Sequence, residues 1–241
     1  PPGAAAGGVA PPSGFQRRAP GPAAPAAVGD ALARVLAAAG ATVTREFYIN
    51  DRGRQMDLFG LSVQAAALGQ PTPEDGYHGD YVKDIAAAVV SNHPEYKELP
   101  EEQSIEKFRD AGYAIQLKQQ QDVLETFGTH FDVWFSEKSL YEGDFFNHCQ
   151  AELRKHGHVF DHEGAVWLRT TDFGDDKDRV MIKSDGSSAY FASDSAYYIS
   201  KRERGFQILI YMLGADHHGY VGRLKALAAC AGDDPKTVEC L

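Results

Sequence analysis

Cysteines, long apolar runs and an excess of basic residues are scarce or missing in this chain of 241 residues. Its three cysteines, Cys149, Cys230 and Cys240, are odd in number and not at metal-ligand spacing, which is typical of a reducing cytoplasm. No apolar run approaches the roughly 20 residues of a membrane helix, and no charged start precedes a Leu-rich stretch at the N-terminus. The sequence therefore predicts a cytoplasmic protein that does not enter a membrane.

Positive charge is in deficit, because 24 Lys and Arg residues face 34 Asp and Glu residues, for a formal net charge of −10. This balance argues against non-specific nucleic-acid binding, although local RNA contacts depend on a patch and not on the total. Hydrophobic residues at 43% and charged residues at 24% are ordinary for a globular protein. Composition thus indicates an enzyme or a small-molecule binder.

Residues 1–27 form a separate block dominated by Pro, Gly and Ala, with Phe15 as its only aromatic residue. Such a segment cannot bury enough apolar surface to offset the entropy of ordering, so we predict that it is disordered. The pattern changes at Val28, where an apolar helix over 30–39 ends at Gly40 and a strand follows over 42–49.

The last third of the chain indicates the fold class. A nearly continuous apolar strand at 207–213 lies between predicted helices at 194–204 and 218–231. An apolar strand between two helices predicts an α/β fold with a parallel sheet covered on both faces. Ligands of such sheets bind at the carboxyl ends of the strands. That rule directs attention to GADHHGY at 214–220.

Three residue groups are candidates for chemistry, and the first two lie before the apolar strand at 207–213. We expect Tyr190 at the end of a short strand and Asp194 at the following helix start, where a phenol and a carboxylate would suit a guanidinium. On spacing alone, a helix-capping Asp194 and a partly buried core Tyr190 are the better interpretation. The run GDDKDR at 174–179 could bind a divalent cation, but a solvated turn is the better interpretation there as well.

Within GADHHGY, Gly214 allows a tight turn and Asp216 can accept hydrogen bonds from ribose hydroxyls. His217 and His218 could be hydrogen-bond partners, metal ligands or proton-transfer groups. A metal site is weakly supported because further ligands at suitable spacing are missing. Simple capping of the next helix is left open by this motif alone.

Five stretches of the chain together resemble arginyl-tRNA synthetases of the bacterial type, in that family's order. They are VTREFYINDRGRQ at 43–55, PEDGYHGDYVKDIA at 73–86, WLRTTDFGDDKDRVMIKSDG at 167–186, YFASDSAYYISKRERGF at 190–206 and GADHHGYVGRLKA at 214–226. The resemblance covers 28–241 and implies the Rossmann-like core of a class I synthetase, with a mostly helical connecting insertion at about 69–161. It also implies ATP, Mg²⁺, arginine and tRNA as reaction partners, and a monomer.

The resemblance assigns roles to the candidate residues. Tyr190 and Asp194 match the residues that hold the substrate guanidinium, which reverses the interpretation from spacing, and His217 would also contact arginine. Gly214, Asp216 and His218 would face the nucleotide. No catalytic side chain is assigned, because the arginine carboxylate itself attacks ATP.

The chain departs from the family at two motifs. A signature resembling HIGH and the strand before it are expected ahead of Val28, and a loop resembling KMSKS is expected after the last strands; neither motif is found. We therefore expect an incomplete catalytic domain that cannot charge tRNA alone. The alternatives are an inert or arginine-binding remnant and a metal-dependent phosphoesterase that uses Asp216, His217 and His218.

Overall fold

The computed structural model describes residues 3–6, 23–213 and 218–241. The chain divides into two compact units: a sheet unit, which comprises Pro1–Asn50 and His130–Leu241, and a helical unit, Asp51–Thr129. In chain order the elements are β1 (Gly3–Ala6), α1 (Ala23–Ala38), β2 (Thr42–Ile49), α2 (Arg54–Leu68), α3 (Asp80–Asn92), α4 (Glu101–Thr126), β3 (Val133–Ser136), α5 (Phe145–Lys155), β4 (Val159–His162), β5 (Ala165–Leu168), β6 (Arg179–Ile182), α6 (Tyr190–Glu203), β7 (Ile208–Tyr211), α7 (His218–Cys230) and β8 (Val238–Cys240).

The sheet unit is built on a five-stranded sheet with strand order β3-β2-β1-β7-β8. Every neighbouring pair in this sheet is parallel, as the sequence predicted. A second, three-stranded sheet of order β4-β5-β6 is antiparallel. The parallel order brings the carboxyl ends of β2 and β3 side by side, because Ile49 pairs with Ser136.

Apolar side chains of β7 explain why helices cover both faces of the parallel sheet. Ile210 packs with Leu32 and Leu36 of α1 on one face. Leu209 belongs to the main core with Leu227 of α7 on the other face. Alternate residues of a strand point to opposite faces, so a wholly apolar strand is stable only when both faces are covered.

The N-terminal segment differs from its predicted disorder in two places. β1 is a parallel strand between β2 and β7, with Ala4 opposite both Val43 and Ile208, so a strand does precede the first helix. The helix α1 begins at Ala23, earlier than the sequence indicated. The ladder of a sheet joins backbone groups, so Gly and Ala can pair between two strands without large side chains. The rest of residues 1–27 lies outside the described part, where disorder stays a prediction.

The helical unit contains α2, α3 and α4, so its bounds differ from the insertion expected at about 69–161. Its core includes Phe59, Val63, Ile85 and Phe108. The helix α2 belongs with the later helices because Gly60 lies directly against α4: a Cβ added there would be 2.7 Å from the Cβ of Arg109. In the described part of the chain, no helix has the length and apolar character needed to cross a membrane.

Candidate functional site

Tyr190 and Asp194 lie on the same face of α6, one helical turn apart. The expected strand end at Tyr190 is wrong: it is the first helical residue, preceded by an extended Ala189 that occupies the cap position. Asp194 is therefore inside the helix and does not cap it. Tyr190 is also not a core residue, because 93% of its surface is exposed to solvent. Both interpretations from spacing alone are thus corrected, and the two side chains face a common surface.

Asp194 accepts a hydrogen bond from Tyr220, whose hydroxyl lies 2.9 Å from its Oδ2 atom. Tyr220 is on α7, and the guanidinium of Arg223 on the same helix lies 4.5 Å from the centre of its ring. Burial raises the pKa of Tyr220, and the negative charge of Asp194 raises it further. The phenol therefore stays a hydrogen-bond donor to the carboxylate at ordinary pH.

A second carboxylate, which sequence reasoning missed, is that of Glu137 in the turn after β3. Ser193 of α6 donates its hydroxyl to Oε1 of Glu137 at 2.9 Å. The hydroxyl of Tyr141 lies 2.6 Å from the same serine oxygen. Since the serine proton goes to Glu137, Tyr141 is the donor to Ser193. Glu137 directly follows β3, at the edge of the parallel sheet where ligands bind.

Tyr48 links the two carboxylates. It is near the carboxyl end of β2, buried, and its ring lies 4.6 Å from that of Tyr197. Burial raises the pKa of Tyr48, and the charges of Glu137 and Asp194 raise it further. Because both carboxylates act on one phenol, the structure brings Asp194 and the turn after β3 to the same site.

This site is acidic and lined with phenols. Carboxylates held by hydroxyl donors can accept the forked N–H groups of a guanidinium, and aromatic faces attract the same planar cation. Tyr190, which is exposed, precedes Asp194 by one turn on the same face of α6. The arrangement is therefore suited chemically to bind a cation that carries several N–H donors.

Four further predicted site residues follow β7 in the chain. Gly214, Asp216 and His217 lie outside the described residues, and His218 opens α7 without a described side chain. Among the described residues, none form a group of three or more His, Cys, Asp or Glu side chains that could hold a metal ion.

The run GDDKDR proves to be an ion-pair cluster and not a simple solvated turn. The side chain of Asp175 is only 3% exposed, and Arg179 donates to its two oxygens at 2.7 and 2.5 Å. Burial would raise the pKa of Asp175, but the hydrogen bonds from Arg179 and Thr170 outweigh it and lower the pKa. The buried carboxylate is thus occupied by arginine and fixes the turn before β6.

The parallel sheet, with helices on both faces and an acidic site at the carboxyl ends of its strands, defines a Rossmann-like α/β domain. A family model described as "tRNA synthetases class I (R), catalytic domain" matches residues 23–241. The chain belongs to this family, the class I arginyl-tRNA synthetases.

Named relatives agree with this assignment. An arginine–tRNA ligase of Renibacterium salmoninarum is 56% identical over 217 residues, which are 90% of this chain and 40% of the relative. One of Frankia alni is 56% identical over 212 residues, or 88% of this chain and 38% of the relative. The chain therefore spans about two fifths of the length of these curated relatives.

Solved structures show the same fold. A crystal structure of an arginyl-tRNA synthetase from Campylobacter jejuni has a TM-score of 0.79 at 33% identity, over 90% of this chain and 49% of that one. The arginyl-tRNA synthetase of Thermus thermophilus has a TM-score of 0.58 at 20% identity, covers 89% of this chain and 44% of that one, and supports the fold alone.

Proposed function

We propose that this chain is the arginine-recognising part of an arginine–tRNA ligase. The observation that carries the proposal is the acidic site of the sheet unit. There Asp194 of α6 and Glu137 after β3 each accept a hydrogen bond from a hydroxyl group, and both influence the buried Tyr48. Family membership supplies the reaction to which such a site belongs.

In the proposed reaction, the carboxylate oxygen of arginine attacks the α-phosphate of ATP. The bond to the β-phosphate breaks, pyrophosphate leaves, and an arginyl adenylate forms. A ribose hydroxyl of the terminal adenosine of tRNA then attacks the arginyl carbonyl and AMP leaves. Because no protein nucleophile takes part, the protein contributes by positioning the reactants and stabilising charge.

Asp194 and Glu137 hold the guanidinium, and Tyr190 covers it from the exposed side. This set of acceptors explains the expected selectivity. Lysine offers a compact ammonium in place of a planar fork, and citrulline carries no charge, so either would leave the partly buried carboxylates poorly paired. Arginine should therefore bind more tightly than both.

The residues after β7 complete the proposal from the family resemblance. His217 would lie beside arginine, and Gly214, Asp216 and His218 would lie beside ATP. We expect ATP to enter as its Mg²⁺ complex, so that the ion comes with the substrate. The tRNA is the acceptor, and we expect a cytoplasmic monomer.

Calorimetric titration of the chain with arginine tests the recognition step, with lysine and citrulline as competitors. We expect saturable arginine binding that is lost in Asp194→Asn. Asp161→Asn is the matched control, because Asp161 is an exposed aspartate of β4, in the three-stranded sheet, and pairs with Arg154. Arginine binding that is equal in Asp194→Asn and in the unchanged chain would contradict the proposed role of this carboxylate.

The ligation step is tested separately, with the polypeptide purified from the cells that produce it. The assay follows the formation of arginyl-tRNA from arginine, ATP and tRNA. We expect arginine-specific charging that Asp194→Asn reduces strongly. Charging with a different amino acid, or none with arginine, would overturn the assignment of the reaction.

A further inference from the structure

Asp194 is fixed by a residue from a different helix. Its own helix, α6, supplies the backbone position, and an aspartate side chain can rotate among several staggered conformers. The Tyr220 hydroxyl, from α7, lies 2.9 Å from Oδ2 of Asp194. A hydrogen bond to an ionised carboxylate is stronger than one between neutral groups. The bond therefore selects one orientation of the carboxylate plane.

The phenol is itself oriented from its own helix. Arg223 lies three residues after Tyr220 on α7, and its guanidinium packs against the phenol ring at 4.5 Å from the ring centre. The Nε atom of Arg223 is buried and has no hydrogen-bond partner among the described residues. An arginine that packs its planar group on an aromatic face restricts how the ring can turn.

We propose that Tyr220 is a positioning residue, which holds the Asp194 carboxylate in the orientation that a bidentate guanidinium requires. This inference rests on the proposed function, because it assumes that Asp194 receives arginine. Tyr220 acts through Asp194 and does not take part in the reaction itself. Its hydrogen bond also joins α6 to the first turn of α7, the helix that contains Tyr220.

The chain offers a matched control for the same chemical change. Tyr198 of α6 donates its hydroxyl to Oδ2 of Asp233, and the two oxygen atoms are 2.6 Å apart. Asp233 is further held by Arg202 at 2.7 Å. This pair is a phenol–aspartate bond of the same kind, but neither residue belongs to the acidic site.

The experiment compares the unchanged chain with Tyr220→Phe, Tyr198→Phe and Asp194→Asn, by arginine calorimetry from pH 4.5 to 8 and by thermal unfolding. We expect the arginine Kd to rise about tenfold in Tyr220→Phe, since a hydrogen bond to a charged group is lost. Tyr198→Phe should bind arginine like the unchanged chain, even if both Phe variants unfold at lower temperature.

The pH profile separates positioning from a general loss of structure. A donated hydroxyl favours the ionised form of a carboxylate, so arginine binding by Tyr220→Phe should be half lost at a higher pH than in the unchanged chain. The other titratable and charged groups around Asp194 are the same in both proteins: Tyr48 of β2, Glu137 after β3, Tyr211 of β7 and Arg223 of α7.

Each other outcome has a definite meaning. If Tyr220→Phe binds arginine as the unchanged chain does while Asp194→Asn does not, the positioning role is wrong and the proposed function stands. If Tyr198→Phe loses affinity as much as Tyr220→Phe, the effect is structural and the inference fails. If the unchanged chain does not bind arginine, the proposed function fails, and this inference fails with it.

Discussion

Lys201 carries a buried amino group that the proposed reaction does not use. The residue is on α6 and only 1% exposed. Its Nζ atom lies 4.0 Å from the ring centre of Tyr197 and 4.2 Å from that of Tyr211. Among the described residues, Nζ has no hydrogen-bond partner. The two aromatic faces attract an ammonium group, but they do not replace the water that burial removes.

Burial therefore lowers the pKa of Lys201 from 10.5 to about 7; the Glu46 charge opposes this shift and the Arg204 charge adds to it. Between these two pH values the unfolded chain binds more protons than the folded chain. The free energy of unfolding therefore increases as pH rises from about 7 towards 10.5. It decreases as pH falls through this range and Lys201 becomes charged in the folded chain. With these two pKa values, the buried lysine lowers the free energy of unfolding by about 4 kcal/mol at pH 7 and by about 2 kcal/mol at pH 9.

Replacing Lys201 by methionine removes the titrating group and keeps a long, flexible side chain. We expect Lys201→Met to be more stable than the unchanged chain by up to about 4 kcal/mol at pH 7, a large part of an ordinary folding free energy. The difference should narrow by about 2 kcal/mol at pH 9. Urea unfolding at pH 7, 8 and 9, followed by tyrosine and tryptophan fluorescence, measures both quantities.

Lys183→Met is the matched control, because Lys183 is an exposed lysine of the same unit. Its substitution should change the free energy of unfolding by less than about 0.5 kcal/mol at every pH. If the free energy of unfolding depends on pH in the same way for Lys201→Met and the unchanged chain, the reasoning is refuted. That result would show that the amine is charged to the same extent in the folded and the unfolded chain.

Two further predictions concern the packing of each unit. Gly60→Ala should destabilise the helical unit by about 1–3 kcal/mol in urea unfolding, because the new Cβ would lie 2.7 Å from the Cβ of Arg109; an unchanged or raised stability would show that α2 and α4 separate easily. Burial raises the pKa of Cys149 and Cys230 to about 12, so a thiol reagent at pH 8 should label the half-buried Cys240 first. Labelling of all three at one rate in the folded chain would contradict that order.

Fold class could be predicted because the relevant signal was local. Residues 207–213 are apolar at almost every position, and only a strand covered on both faces accommodates such a run. The structure confirms a parallel strand there, within the sheet unit. β1 could not be predicted in the same way. Its Gly and Ala side chains give no periodic signal, and its place in the sheet follows from backbone pairing.

The candidate site could be predicted only in part, for a related reason. Tyr190 and Asp194 were found because their spacing matches a family motif. Glu137 was missed because its role depends on strand order: β3 pairs with β2, which brings the turn after β3 beside Tyr48 and Ser193. The pairing of β3 with β2, and the position of Glu137 beside Tyr48 and Ser193, cannot be read from the residues around Glu137 alone.

The hydroxyl donors of the site have a common physical role. Glu137 and Asp194 both act on the buried Tyr48, and burial of a carboxylate disfavours its charged form unless hydrogen bonds compensate. Ser193 donates to Glu137, and Tyr220 donates to Asp194, so each carboxylate has its own hydrogen bond that favours ionisation. These bonds hold the two carboxylates in position before a ligand arrives.

In the proposed function, a guanidinium bound by both carboxylates would meet acceptors that hydrogen bonds already hold in place. Such a preorganised site binds with little reorganisation cost, because its charges are already fixed when the cation enters. If arginine binds only the folded chain, as proposed, it should raise the free energy of unfolding with the logarithm of its concentration once that exceeds the Kd. In the proposed arginine site, the hydroxyl groups contribute no charge but would hold the two carboxylates in the positions that select the ligand.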